Sequence, residues 1–204
     1  MKRAAMLLAP GFEEGEAIVT IDILRRLNIA VETLACADTR AVVSYHAIPL
    51  VADARLAERL EDTYDALVLP GGPQGSVNLA ADPQVIAFVA RHDNAGKLIC
   101  PVCSAAARVL GGNGLLKGRR YGRYVCSGEL WRDVRDGEYV DAPVVEDGNL
   151  ISGKGLGRVF DFALTIAARL TRDEAATLNT SITPGKAGCR GGLYLPDVRE
   201  RRRV

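Results

Sequence analysis

The feature that most constrains this chain is a repeated change of hydrophobic period. Short apolar runs close on proline, glycine or small residues, and apolar residues at helical spacing come after them. Ala4 to Ala9 is such a run, closed by Pro10-Gly11, and Glu14 to Leu27 then carries Ala17, Ile21, Leu24 and Leu27 on one face. The pattern returns with strands predicted at Ala30 to Cys36, Tyr64 to Leu69 and Lys97 to Cys103, and helices at Val85 to His92 and Ser104 to Leu110. Strands alternating with helices imply an α/β fold with a flavodoxin-like, doubly wound parallel sheet. Ligands of such sheets bind at the carboxyl edge, where the strand order changes direction.

Two stretches break the rhythm, Val42 to Val51 and Arg119 to Ser152, and both read as short strands and hairpins beside the main sheet. Within the second, Val144 to Ile151 is a hairpin signal in which Asp147-Gly148 supplies the positive φ angles of a tight turn. A last helix is predicted from Arg158 to Leu170. With 204 residues, 48% of them hydrophobic, the chain fills one core but not two, so residues 1–185 are read as one domain and 186–204 as a C-terminal tail. Arg199, Arg201, Arg202 and Arg203 are read as solvated charge on that tail.

Charge narrows the partners. Lys+Arg 26 against Asp+Glu 25 leaves a net charge of +1, so no overall field draws the protein to nucleic acid or to an anionic membrane. No apolar run is long enough for a bilayer span. Five cysteines without the spacing of a disulfide scaffold fit a reducing compartment, and the protein is read as cytoplasmic. No motif calls for a metal or cofactor.

Cys103 stands where a β run passes into Ser104-Ala105-Ala106-Ala107 with almost no loop, a junction that forces a side chain outward as in a nucleophile elbow. A helix beginning at Ser104 favours thiolate over thiol. A buried structural cysteine is the competing reading. Pro70-Gly71-Gly72 comes after another strand, and a glycine pair there leaves N–H groups bare, so Gly72 and Ser104 can each donate to an oxyanion; an ordinary turn is the alternative. Of Glu13, Glu14 and Glu16, two are read as helix-end charges and one as an acid facing the site. Cys100 and Cys103 spell Cys-Pro-Val-Cys, but extended spacing sets their Cα atoms roughly 10 Å apart, beyond the ~7 Å reach of a disulfide, so Cys100 is assigned to the core. His46 falls in the side hairpin, and His92 is read as a surface residue late in a helix.

The segments GFEEGEA, LPGGPQGSVNL, CPVCSAAARVL and GLGRVFDFALTIAARL, in that order, resemble the ThiJ/PfpI superfamily and especially its parkinsonism-associated deglycase branch. The similarity spans about Met1 to Leu170. It implies the class I glutamine amidotransferase-like version of the fold and a homodimer. It makes Cys103 the nucleophile, Glu16 the acid hydrogen-bonded to it, and Gly72 with Ser104 the oxyanion donors; for Arg26 it offers an anion-binding position near the dimer interface, and an ordinary surface arginine at a helix end is the equal alternative. Where the family often has a catalytic histidine, Gly118 to Tyr124 contains none, and Tyr124 is the candidate for the vacated place. A phenol donates a hydrogen bond but is a poor base at neutral pH, which argues against Cys-His amidase or peptidase chemistry. Cys126 is read as a resolving thiol or as packing. The resemblance implies a glyoxalase III or deglycase-like enzyme acting on small reactive aldehydes. The alternative is a non-catalytic peroxide sensor or chaperone that uses oxidation of the same cysteine.

Overall fold

The computed structural model describes residues 1–124, 134 and 136–172. In chain order these form β1 (Arg3–Leu8), α1 (Glu14–Arg26), β2 (Ala30–Ala35), β3 (Ala41–Val43), β4 (Pro49–Val51), β5 (Ala54–Arg55), β6 (Ala66–Leu69), α2 (Pro73–Ala81), α3 (Pro83–Asn94) and β7 (Leu98–Pro101). β8 (Arg120–Tyr121), β9 (Glu138–Tyr139), β10 (Val144–Asp147), β11 (Leu150–Gly153) and α4 (Val159–Thr171) complete them. The domain boundary expected at 185 and Cys126 lie outside the described residues.

A seven-stranded sheet in the order β10-β11-β7-β6-β1-β2-β5 forms the middle layer. Its pairs are parallel, apart from the antiparallel β10–β11 hairpin at one edge. Each central strand is buried on both faces, which is why β1 reads as a continuous apolar run rather than an alternation. Ala5 and Leu7 join Leu67, Phe88, Val89 and Val109 in the core under α2 and α3, while Ala4, Met6 and Leu8 join Ile21, Leu24, Phe162 and Ile166 under α1 and α4. From β1 the order proceeds one way to β2 and the other way to β6. The switch point therefore lies between the carboxyl ends of β1 and β6.

Three expectations are corrected. The hairpin from Val144 to Ile151 belongs to the main sheet, because β11 is buried along its whole length and pairs with β7 at Leu150–Ile99. Its two-residue loop is Gly148-Asn149 rather than Asp147-Gly148, since Asp147 pairs with Leu150 and the positive φ, 60°, falls on Gly148. His92 is buried, not on the surface: Val85, Phe88, Val89 and His92 share the inner face of α3. Its Nδ1 donates to the Phe88 carbonyl at 2.8 Å, and its Nε2 accepts the Tyr64 N–H at 3.1 Å. Burial holds the imidazole below its ordinary pKa, in the neutral form those two bonds require.

No helix among the described residues is long and apolar enough to cross a membrane.

Candidate active site

Three strand ends converge at the switch point. After β1, the Glu13 side chain caps α1 by accepting the Glu16 N–H at 2.6 Å, which turns Glu16 into the fold, where it is 1% exposed. After β6 comes Gly71-Gly72, and after β7 comes Cys103. The Gly71 N–H donates to Glu16 Oε2 at 2.8 Å. A side chain on Gly71 has no room: its Cβ would lie 2.6 Å from the Cys103 Cβ and 2.9 Å from Glu16 Oε2. Bare backbone at Gly71 is thus what lets the cysteine and the carboxyl group meet.

Cys103 sits at φ 59°, in the left-handed region that residues with a Cβ rarely adopt. The surroundings hold it there. Its N–H donates to the Gly153 carbonyl at 2.9 Å, and its own carbonyl accepts the Tyr124 N–H at 3.3 Å. The N–H groups of Gly72 and Ser104 both donate to the Cys103 sulfur, and the Glu16 carboxyl group hydrogen-bonds the same side chain.

Burial raises the Glu16 carboxyl from 4.5 to about 7. The Gly71 and Leu156 N–H groups pull it back, and the nearby Glu13 charge pushes it further up. Near neutral pH the group is therefore close to half protonated. The expected thiolate-favouring helix end is corrected. The elbow runs into a short π-helical segment, Ala106–Leu110, and burial first, then the facing Glu16, push the Cys103 thiol up against the pull of the Ser104 and Gly72 N–H groups. A thiolate at Cys103 is compatible with Glu16 only when Glu16 carries the proton and donates it to the sulfur; an ionised Glu16 instead accepts from the S–H.

The structure thus brings Cys103, Glu16, Gly72 and Ser104 together. Tyr124 lies at the rim: the residue is 52% exposed, and a Cβ on Gly155 would be 3.5 Å from Tyr124 Cδ2 and 3.8 Å from the Cys103 Cβ. Arg26 is held by Asp22 at 2.7 Å on the outer face of α1. Cys100 is a buried β7 residue, and Cys36, Cys100 and Cys103 are free thiols. Sequence reasoning missed Gly71 and Leu156 as Glu16 donors; the Gly-Gly pair was the available signal for the first, and Leu156 offered none. Among the described residues, the donor atoms of Glu13, Glu14 and His46 lie within 4.8 Å of one another, as a metal would need. They are already engaged without one, Glu13 capping Glu16 and Glu14 holding His46 Nδ1 at 2.6 Å.

Comparison with known proteins finds relatives that align along most of the chain. The sequence model of the DJ-1/PfpI family matches residues 2–169. Protein dj-1beta of Drosophila melanogaster is 36% identical over 174 residues, 85% of this chain and 91% of its own length. The glutathione-independent glyoxalase DJR-1.2 of Caenorhabditis elegans is 32% identical over 174 residues, again 85% of this chain and 91% of its own. The crystal structure of the C103A mutant of a DJ-1 superfamily protein from Salmonella typhimurium superposes with a TM-score of 0.84 at 73% identity, covering 87% of this chain and 94% of that one.

Proposed function

The chain belongs to the DJ-1/PfpI family, and from that premise we propose that it is a cysteine-dependent enzyme converting small 2-oxoaldehydes to 2-hydroxy acids, as a glyoxalase III or deglycase would. One observation carries the reading: a strained Cys103 faces a Glu16 whose pKa of about 7 lets it give and take protons at neutral pH. The Cys103 sulfur adds to the aldehyde carbon, and the Gly72 and Ser104 N–H groups stabilise the hemithioacetal oxygen. Glu16 accepts the proton from that carbon and returns one to the neighbouring carbon, leaving a thioester that water cleaves to the hydroxy acid. The aldehyde carbon is oxidised and the ketone carbon reduced, so the sum is substrate plus water and no outside oxidant is required. Tyr124 at the rim lines the approach and offers its hydroxyl to the substrate. A named glyoxalase among the relatives supports the same chemistry.

The protein given methylglyoxal should release lactate, and alkylation confirmed at Cys103 by mass spectrometry should stop it. Lactate formation that survives alkylation overturns the reading. A protein that forms no lactate but gains two oxygens on Cys103 under mild peroxide would instead be the oxidation sensor that the same N–H donors and protonated Glu16 also suit.

Beside the site, Ile18 of α1, Val43, Tyr45 and Ile48 of the β3–β4 hairpin, and Leu156 and Phe160 are all about half exposed. The hairpin is tied to α1 through Glu14 and His46, and Leu156 packs on Gly15, so these side chains flank one face of α1. We propose that this apolar face is buried in a homodimer. Sedimentation should give twice the 21.8 kDa chain mass, and Ile18→Glu should return the single-chain value. A wild type that sediments as a monomer at micromolar concentration counts against it.

A further inference from the structure

Two buried hydroxyls lie behind the site with no part in the chemistry above. The Ser104 hydroxyl donates to Ser76 Oγ at 2.9 Å, and the Ser76 hydroxyl donates to the Gly72 carbonyl at 2.8 Å. Ser76 is fully buried and Ser104 is 7% exposed. The two residues this bridge joins, Ser104 and Gly72, are the two whose N–H groups point at the Cys103 sulfur. They come from different parts of the fold, Ser104 from the elbow after β7 and Gly72 from the turn before α2. The Gly72 turn needs such a hold. With φ +98° it occupies a region open to glycine, which is also the residue with the fewest intrinsic restraints.

Burial of two hydroxyls gains little by itself. A paired hydroxyl in a core is close to neutral against two apolar groups of similar shape. What the pair adds is a fixed distance between two backbone donors that must converge on one atom. We propose that Ser76 and Ser104 form a hydroxyl bridge that positions the two N–H donors of the Cys103 site, with Ser76 a positioning residue that touches neither the sulfur nor the substrate. The proposal rests on Gly72 and Ser104 acting as the donors, and it concerns the thiol itself, whatever the substrate.

Iodoacetamide alkylation of Cys103 across pH, with Cys103→Ala to subtract the other thiols, tests it without any aldehyde. Loosened donors stabilise the thiolate less. Ser104→Ala, and Ser76→Ala with Ser104→Ala together, should react about three- to tenfold more slowly at pH 7, with the midpoint of the profile moved to higher pH. The double variant should be no slower than Ser104→Ala alone, because both cut one bridge. Ser76→Ala alone should lose less, since the Ser104 hydroxyl lies 3.4 Å from the Gly72 carbonyl and can reach it directly. Melting temperatures separate the alternatives. Variants that melt lower but keep the wild-type rate and midpoint reveal a structural pair and overturn the proposal. Loss of lactate formation in the wild type, by contrast, overturns the aldehyde reading and leaves these profiles to be judged on their own.

Discussion

Cys103→Gly is expected to lose all lactate formation and yet to be more stable than Cys103→Ala by roughly 0.5–1 kcal/mol, the reverse of the usual order of the two residues. Both substitutions remove the sulfur, so its lost packing and hydrogen bonds cancel in the comparison. What differs is the Cβ. At φ 59° a Cβ crowds the following carbonyl oxygen, at a cost of about 1–2 kcal/mol, and alanine retains that crowding while glycine releases it. Against the release stands the greater freedom of glycine in the unfolded chain, about 0.5–1 kcal/mol. Urea unfolding of the two variants measures the difference directly. Alanine more stable than glycine would mean that the elbow stores no strain, and the nucleophile would then owe its exposure to the sheet edge alone. The strain persists in the native protein because the Gly153 carbonyl and the Tyr124 N–H fix the peptide groups on both sides of Cys103.

The elbow could be read from the sequence because its cause is local: a β run meeting helix-forming residues with no loop between them leaves one residue in a strained junction. The parallel sheet was legible for a related reason, since strands covered on both faces are apolar throughout and β1, β6 and β7 carry that mark. Elements whose identity depends on distant partners were not legible. β5 is two residues long and exists because Leu34 and Ala35 of β2 offer it a free edge. α2 was hidden by its opening Pro73-Gln74-Gly75, which reads as a turn until Gly72 is seen to cap it. The β10–β11 hairpin is recognisable as a hairpin, but its membership of the main sheet depends on pairings with the distant β7 segment, Leu150 with Ile99, 51 residues apart in sequence order, and Gly153 with Val102. His92 shows the opposite failure. Its place on the buried face was written in the spacing Val85, Phe88, Val89, His92, and the residue's polarity hid it. Of the site, Cys103, Glu16, Gly72 and Ser104 were legible by residue type and by their place at strand ends, and the Gly-Gly pair marked Gly71 as well; Leu156 was not legible, because its backbone N–H reaches Glu16 from a distant segment that no local pattern ties to the site.

Replacing Glu16 by glutamine is expected to lower lactate formation by about 10²- to 10⁴-fold, the usual contribution of a positioned proton donor and acceptor, and to change the pH behaviour of both the thiol and the fold. In the wild type the carboxyl group ionises at about pH 7, and the charge it then sets against the sulfur holds back the thiolate. The alkylation profile of Cys103 should therefore carry an inflection near pH 7 that Glu16→Gln, neutral throughout, does not show. Stability must move with it. Because the folded state raises this carboxyl from 4.5 to about 7, the protonated group favours folding; its contribution is complete below pH 4.5 and is lost as the pH rises through 7, at most on the order of 3 kcal/mol. Glu16→Gln has no such charge to bury, so its stability relative to wild type should rise between pH 5 and pH 8. The buried His92 runs the other way, its neutral form favouring the fold above its ordinary value of 6.5 and losing that contribution as the pH falls. It is common to both proteins and drops out of their difference. Identical alkylation profiles in wild type and Glu16→Gln, with a stability difference that does not vary with pH, would show that Glu16 and Cys103 do not share a proton, and the proton-shuttle step would then need another group.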